Sequence, residues 1–287
     1  MLRIGQGCLG VLLLASLAIS GRPALAAEDV LIAAVQFPPY VIKPEKDVQQ
    51  GLLAELVASL NGIQADYRFV LRPTSLKRRF GDFQKGRVDI VMFENPDWDW
   101  QGIAGSRIDL GLEDSEVFVA RAEPGRGQDY FDNLMDKRLA LFNGYHYGFA
   151  GFNNDIDWLE SNFKAKLSYS HESNLNLVLH ERADVAPITH SWLNGYLQEH
   201  PELQAQLLVS SWTDQVYRHY AILRPEAPIT AERFRQLMQE LRDGGELGRI
   251  FTPYGITVTP RVAGSSATRS AADSPRHAVP APATGAR

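Results

Sequence analysis

The stretch that decides the fold is VLIAAV at residues 30–35, followed by FPPY at residues 37–40. Six consecutive apolar residues have the length of a strand buried on both faces, as strands of parallel sheets are. Proline cannot donate to a sheet ladder, so we expect this strand to end before the two prolines. The folded part of the chain therefore begins with a strand inside a parallel sheet.

Helices and strands alternate after this first strand. Gly51 opens an amphipathic helix whose apolar positions share one face, and Asn61-Gly62 ends it. Residues 67–71 and 88–92 are predicted strands, and residues 76–85 between them are predicted to be helical. This alternation predicts an α/β domain with a parallel sheet.

A second unit of the same kind begins near Asp132. Its predicted elements are a strand at 139–142, a helix at 156–163, a strand at 167–169, a helix at 174–181 and a strand at 183–188. The chain then returns through a strand at 216–223 to a closing helix at 231–241. The sequence therefore predicts two α/β units, with the end of the chain returning to the first.

The two ends of the chain are predicted to lie outside the folded part. Residues 1–27 have the pattern of a secretory signal, with Arg3, an apolar run at 11–19 and a small-x-small cleavage site at 24–26. Cys8, the only cysteine, precedes the apolar run, so neither lipid attachment nor a disulfide is expected. Residues 259–287 have no periodic apolar positions and are predicted to be disordered. We expect a soluble protein exported to the periplasm.

The net charge and the absence of certain motifs argue against several classes of function. Residues 28–260 carry 23 Lys and Arg against 33 Asp and Glu, and so acidic a chain repels phosphate backbones, which argues against nucleic-acid partners. The histidines have no metal-ligand spacing, and the chain has no glycine-rich phosphate loop or G-x-S-x-G nucleophile turn. We expect no metal, no cofactor and no catalytic activity.

Five local features in this order resemble a known family. They are FPPY at 37–40, Gly51 before a helix, GRVD at 86–89, RADV at 182–185 and LRDGG at 241–245 with Ile250. From about residue 30 to residue 254 the chain resembles family 3 of the periplasmic solute-binding proteins, best known as the polar amino-acid receptors of ABC importers.

The resemblance implies an α/β protein with the type II periplasmic binding fold. Two lobes would be joined by two crossing strands, and a ligand would be trapped between them by hinge closure. Lobe 1 would comprise residues 28–120 and 216–258, and lobe 2 residues 121–215. The protein would act as a monomer that captures a small solute for an ABC permease or a membrane sensor.

The resemblance also implies a set of ligand anchors, of which this chain keeps only one. Arg107 lies where the family's arginine holds the ligand carboxylate in a bidentate pair. Gly144-Tyr145-His146 stands where a Ser/Thr pair follows a glycine, and Thr189 stands where an acid meets the ligand ammonium. These replacements argue against an ordinary α-amino acid as the ligand.

Aromatic residues are the alternative ligand contacts. Six of them follow predicted strands, where ligands bind in open α/β sheets: Phe37, Tyr40, Trp98, Trp100, Tyr145 and Tyr147. Their rings would hold a planar or cationic ligand or pack the lobe edges. Three acidic residues lie next to the tryptophans in the sequence: Glu94, Asp97 and Asp99. They would either pair with a cationic ligand or remain exposed to solvent. His146 and His171 either face the cleft between the lobes or have a structural role within a lobe. The basic run Lys77-Arg78-Arg79 is expected to be a helix face exposed to solvent.

The sequence is therefore compatible with three different functions. The first is a non-catalytic receptor for a small polar or aromatic solute. The second is an enzyme on the same scaffold, since the resemblance extends to exported cyclohexadienyl dehydratases, with Glu94 or Glu172 and a cleft histidine as the acid–base groups. The third is a module that binds a protein partner and no small molecule.

Overall fold

The computed structural model describes residues 26–46 and 50–259. Almost all of the predicted signal peptide, and the predicted disordered tail beyond residue 259, lie outside these residues. Within the described ranges, no helix combines the length and the apolar character needed to cross a bilayer.

The described residues form nine strands and seven α-helices. The strands are β1 (Glu28–Val35), β2 (Tyr67–Thr74), β3 (Ile90–Glu94), β4 (Ser106–Arg121), β5 (Arg138–Phe142), β6 (Lys164–Ser168), β7 (Ala186–Thr189), β8 (Leu207–Leu223) and β9 (Thr257–Val258). The helices are α1 (Leu52–Gly62), α2 (Arg79–Gln84), α3 (Ile156–Asn162), α4 (His171–Leu179), α5 (His190–Glu199), α6 (Ala231–Asp243) and α7 (Glu246–Phe251). The predicted α/β class is confirmed.

The first strand lies inside the sheet, as its apolar sequence predicts. β1 pairs in parallel with β2 on one side and with β3 on the other. Gly51 has a φ of 102°, and a Cβ there would lie 2.6 Å from the carbonyl oxygen of Tyr40. Only glycine therefore lets the loop after β1 pass this closely to the start of α1. The apolar face of α1 then packs into the same core cluster as β1.

Two long antiparallel strands connect the two lobes. β4 and β8 pair from Ser106 opposite Leu223 to Arg121 opposite Leu207. The main sheet has the order β2-β1-β3-β8-β4-β7, with β9 paired to β4, while β5 and β6 form a separate parallel pair. The strands near β1 and those near β7 therefore lie at opposite ends of the same two crossing strands.

The buried apolar residues separate into two sets along these strands. Two clusters are built from residues 30–112 and 221–256, and two others from residues 117–207. β4 contributes Leu112 to the first set and Val117 to the second. The residues between these positions are Glu113, Asp114, Ser115 and Glu116, so the connecting segment is polar where it passes from one lobe to the other. The exact lobe bounds predicted from the sequence stay a prediction.

Candidate functional site

A cavity lies between the two lobes at the carboxyl ends of β1 and β3. The first lobe lines it with Ala33, Val35, Phe37, Val41, Leu76, Arg79, Met92, Phe93, Glu94 and Trp98, the second with Gly144, Tyr145 and His146, and the crossing strands with Glu116 and Gln215. Its volume is about 40 Å³, which leaves room for a few water molecules. A larger solute therefore requires the lobes or their side chains to move apart.

Aromatic rings close the cavity across the two lobes. Phe37 of the first lobe meets Tyr145 of the second edge-on, with ring centroids 5.5 Å apart. Trp98 lies parallel to the ring of His146, with centroids 6.1 Å apart and an interplanar angle of 9°. Phe37 also contacts Trp98 edge-on at 6.2 Å. These rings are therefore in the positions that a solute between the lobes would contact.

A buried ion pair forms part of the cavity wall. Arg79, the first residue of α2, places its Nε 2.7 Å from Oε1 of Glu94, the last residue of β3. The two residues are 3% and 5% exposed. Trp100 donates its Nε1–H to Oε2 of Glu94 at 2.7 Å. The prediction that Arg79 lies on a solvated helix face is therefore wrong, and so is the interpretation of Glu94 as a solvated acid. Arg78 is exposed, as expected.

The strand register places a second acid, Glu116, at the centre of the lobe connection. Glu116 of β4 lies opposite Thr189 of β7 and opposite Gln215 of β8. Its Oε1 accepts hydrogen bonds from the Thr189 hydroxyl at 2.8 Å and from the Tyr217 hydroxyl at 3.3 Å. His171 Nε2 lies 2.9 Å from the Thr189 hydroxyl. The carboxyl group is thus held from several elements.

Burial determines the protonation of this group. It raises the pKa of Glu116 well above its usual range, although the hydrogen bond from Thr189 opposes the shift, and the nearby Asp114 adds to it. Burial also lowers the pKa of His171 to about 3, so its imidazole is neutral near pH 7. The cavity therefore contains a carboxyl group that does not ionise as readily as a solvated one.

A second buried network joins the loop after β1 to both crossing strands. The Tyr40 hydroxyl donates to Oδ2 of Asp114 at 2.7 Å and lies 2.7 Å from Nε2 of His219. Ser191 at the start of α5 donates its hydroxyl to the same Asp114 oxygen at 2.5 Å. Burial raises the pKa of Asp114 and lowers the pKa of His219 to about 3. This network connects elements of both lobes without lining the cavity.

The loop that carries the second-lobe aromatics is held by β8. Asp214 accepts hydrogen bonds from the backbone N–H groups of Gly148 at 2.6 Å and Phe149 at 2.7 Å. A Cβ at Gly148 would lie 2.6 Å from the carbonyl oxygen of Asp214, so this close approach requires glycine. Burial raises the pKa of Asp214 to about 6, against the effect of these two backbone donors.

The structure brings five of the ten predicted ligand residues to the cavity and places the other five elsewhere. Those that line it are Phe37, Glu94, Trp98, Tyr145 and His146. Tyr40, Trp100 and Tyr147 are fully buried in apolar clusters or beside them, and Thr189 is buried behind Glu116. Arg107 is exposed and donates to the carbonyl oxygen of Trp100 at 3.0 Å. For all ten, a role in ligand binding stays a prediction.

Sequence reasoning missed three charged or polar residues of the cavity lining: Arg79, Glu116 and Gln215. Arg79 belongs to a run of three basic residues, which favoured a solvated face. Glu116 stands directly before the apolar run at 117–120, and an acid beside such a run was the one available signal. Within residues 26–46 and 50–259, no group of three His, Cys, Asp or Glu side chains could hold a metal ion.

Comparison with known proteins gives a likeness of fold. No family model matches the sequence, and no curated protein matches it. A histidine-bound substrate-binding protein of an ABC uptake transporter from Streptococcus pneumoniae is similar in structure, with a TM-score of 0.62, 16% identity, and coverage of 81% of this chain and 95% of that chain. The P235GK mutant of ArgBP from T. maritima is also similar in structure, with a TM-score of 0.58, 15% identity, and coverage of 79% of this chain and 95% of that chain.

A sensor domain is similar to the same extent. It belongs to a histidine kinase and is described as similar to periplasmic binding proteins, with a TM-score of 0.58, 16% identity, and coverage of 82% of this chain and 99% of that chain. Identities this low establish the fold alone. The chain has the two-lobed type II periplasmic binding fold with two crossing strands, which confirms the fold expected from the sequence.

Proposed function

We propose that this protein is a periplasmic receptor that binds a small solute between its two lobes and presents it to an ABC importer or a membrane sensor. The observation that carries the proposal is the cavity itself, to which both lobes and both crossing strands contribute side chains. A site assembled this way is completed when the lobes close, so binding and closure are coupled. Solved proteins of the same fold include an ABC substrate-binding protein and a kinase sensor domain.

The proposed ligand is small and carries apolar surface. Phe37, Trp98 and Tyr145 supply rings, and Met92 and Phe93 supply further apolar contact. The secretory signal predicted at residues 1–27 fits a periplasmic location.

The enzyme alternative has less support. Glu172, one of its two candidate acids, is exposed and lies outside the cavity lining of the described residues. Glu94, the other candidate, is paired with Arg79 and accepts a hydrogen bond from Trp100, so both of its oxygens already have partners. A carboxyl group held in this way suits a structural role better than proton transfer to a substrate.

A thermal-shift screen tests the receptor function. Amino acids, amines, organic acids and neutral metabolites are each added at millimolar concentration, and at least one is expected to raise the melting temperature saturably. A ligand present at 100 times its Kd stabilises the folded state by about 2.7 kcal/mol. A screen in which no class of compound raises the melting temperature would contradict the proposal.

Trp98→Ala is expected to weaken binding of the best compound about tenfold, or by about 1.4 kcal/mol. The indole lines the cavity and contacts Phe37 and His146, so its removal takes away contact surface for a bound solute. The measurement is isothermal titration calorimetry of the variant against the wild type. Trp158→Ala is the matched control, because Trp158 is a partly buried tryptophan on α3 outside the cavity. Equal losses in both variants would show that the effect is not local to the cavity.

A further inference from the structure

We propose that Glu116 is the residue that selects the ligand, and that it does so by pairing one free carboxyl oxygen with a cationic nitrogen group on the solute. The inference rests on the proposed receptor function, because it assigns a ligand class to the same cavity. The solute would be a small amine or amidine with an apolar body.

The two carboxyl oxygens of Glu116 differ in their hydrogen bonding. Glu116 is 2% exposed and lines the cavity. Its Oε1 accepts from Thr189 and Tyr217, whereas its Oε2 is buried and has no hydrogen-bond partner among the described residues. A buried acceptor without a partner is costly, and a donor on a bound solute would satisfy it.

Among the described ionisable groups that line the cavity, Glu116 is the one without a charged partner. Its ionisable lining residues are Arg79, Glu94, Glu116 and His146. Arg79 and Glu94 neutralise each other at 2.7 Å. Burial lowers the pKa of His146, although its hydrogen bond to Asp99 opposes the shift, so the imidazole tends to be neutral. Glu116 is left without an opposite charge, so a cationic group on the solute would stabilise its ionised form, whereas a ligand carboxylate beside it would oppose that ionisation.

Aromatic side chains also line the cavity and would favour a cationic ligand. Phe37, Trp98 and Tyr145 border the same cavity as Glu116. A cation between aromatic faces and a carboxylate is attracted by both, and a desolvated site strengthens both interactions. Trp98 Nε1 also has no hydrogen-bond partner among the described residues. It is available to donate to an oxygen or nitrogen elsewhere on the solute.

Proton exchange should accompany binding. The groups that act on Glu116 or respond to its charge come from several elements: Asp114, Asp214, Thr189, Tyr217, Tyr40, Tyr145 and Tyr147, with His171 behind Thr189. A protonated Glu116 releases its proton to solvent when the carboxylate pairs with an ammonium group that keeps its own protons. One proton is then released for each cation bound, and binding tightens as pH rises towards the raised pKa of Glu116.

The experiment compares solutes that share one shape and differ in charge. Benzylamine, benzyl alcohol and benzoate form one series, and isobutylamine, isobutanol and isobutyrate form an aliphatic one. Each is titrated calorimetrically into wild-type protein at several pH values above the usual titration range of a glutamate carboxyl group. In at least one series the amine is expected to bind at least tenfold more tightly than the alcohol, and the carboxylate more weakly than either.

Glu116→Gln and Glu113→Gln are the matched variants. Glutamine keeps an acceptor for Thr189 at position 116 but removes the charge, so amine affinity should fall at least tenfold and lose its dependence on pH. Glu113 lies on the same strand outside the cavity, paired with Arg218 at 2.9 Å. Glu113→Gln should therefore bind the amine as the wild type does. Circular dichroism verifies that both variants are folded.

The outcomes separate the inference from the proposed function. Preferential binding of a carboxylate or an alcohol by the wild type overturns the cation inference and leaves the receptor function supported. Unchanged amine affinity in folded Glu116→Gln overturns it as well. The wild-type charge series decides the inference even if the glutamine variant fails to fold. If neither series nor any compound of the wider thermal-shift screen binds, the receptor function itself is contradicted.

Discussion

Arg79→Met is expected to lower the free energy of unfolding by about 3–5 kcal/mol, as breaking a buried ion pair does. The guanidinium and the Glu94 carboxylate are both almost fully buried, so removal of either charge leaves the other desolvated and unpaired. Arg79 also lies over the Phe80 ring, with its guanidinium carbon 4.1 Å from the ring centroid, and loses this packing too. Chemical denaturation with urea measures the loss.

A double-mutant cycle isolates the ion pair. Glu94→Gln keeps an acceptor for the Trp100 indole while removing the charge. The double variant Arg79→Met with Glu94→Gln should therefore be more stable than the sum of the two single losses predicts. Arg78→Met, at the neighbouring exposed position, should change stability by no more than about 0.5 kcal/mol. Equal effects at positions 78 and 79 would contradict the burial of Arg79.

Tyr40→Ala is expected to destabilise the fold by about 3–5 kcal/mol, the cost of truncating a large buried aromatic side chain. The Tyr40 ring is fully buried against Phe93 and His219, with centroids 4.5 and 4.6 Å away. Tyr40→Phe keeps the ring but removes the hydroxyl that donates to Asp114, and should lose about 1–3 kcal/mol. Thermal and urea unfolding measure both losses.

Tyr169→Ala is the control for this pair of variants. Tyr169 is 76% exposed, so its truncation should change stability by no more than about 0.5 kcal/mol. If Tyr40→Ala instead unfolds like the wild type but binds the solute far more weakly, Tyr40 is a ligand contact rather than a core residue.

The fold could be predicted because its signals are local and periodic. The apolar run at 30–35, the glycine at 51 and the one-sided apolar pattern of α1 each follow from a few neighbouring residues. The exceptions are β4, α5 and α7, for which no element was predicted, and β8, of which only residues 216–223 of Leu207–Leu223 were predicted. The amino-terminal half of β8 mixes buried and exposed residues irregularly, and register shifts interrupt its pairing with β4. A strand of this kind has no clear period-two pattern to recognise.

The site could be predicted only in part, because the pairing of distant strands determines which residues line the cavity. The aromatic residues after β1 and β3 were found from their place in the chain, and Phe37 and Trp98 do line the cavity. Glu116 becomes a cavity residue through its register opposite Thr189 and Gln215, which are 73 and 99 positions away in the chain. Tyr40 was placed among the ligand residues by sequence proximity, but the turn back to Gly51 buries it.

Thr189 and Glu116 together explain why we expect a ligand other than an ordinary α-amino acid at this site. Where the family resemblance implies an acid, this chain has a hydroxyl that donates to Glu116. The acidic group is thereby supplied by β4 rather than by the end of β7. A carboxyl group is retained in the cavity, in a buried position and beside aromatic rings.

A crystal structure with the tightest compound from the screen tests the central claim most directly. We expect electron density for the solute between Phe37, Trp98 and Tyr145, with a nitrogen within hydrogen-bond distance of Glu116 Oε2. The lobes should be further apart than the cavity of about 40 Å³ allows in their present arrangement. Density for the solute only on the outer surface, with the cavity between the lobes unchanged, would contradict the account.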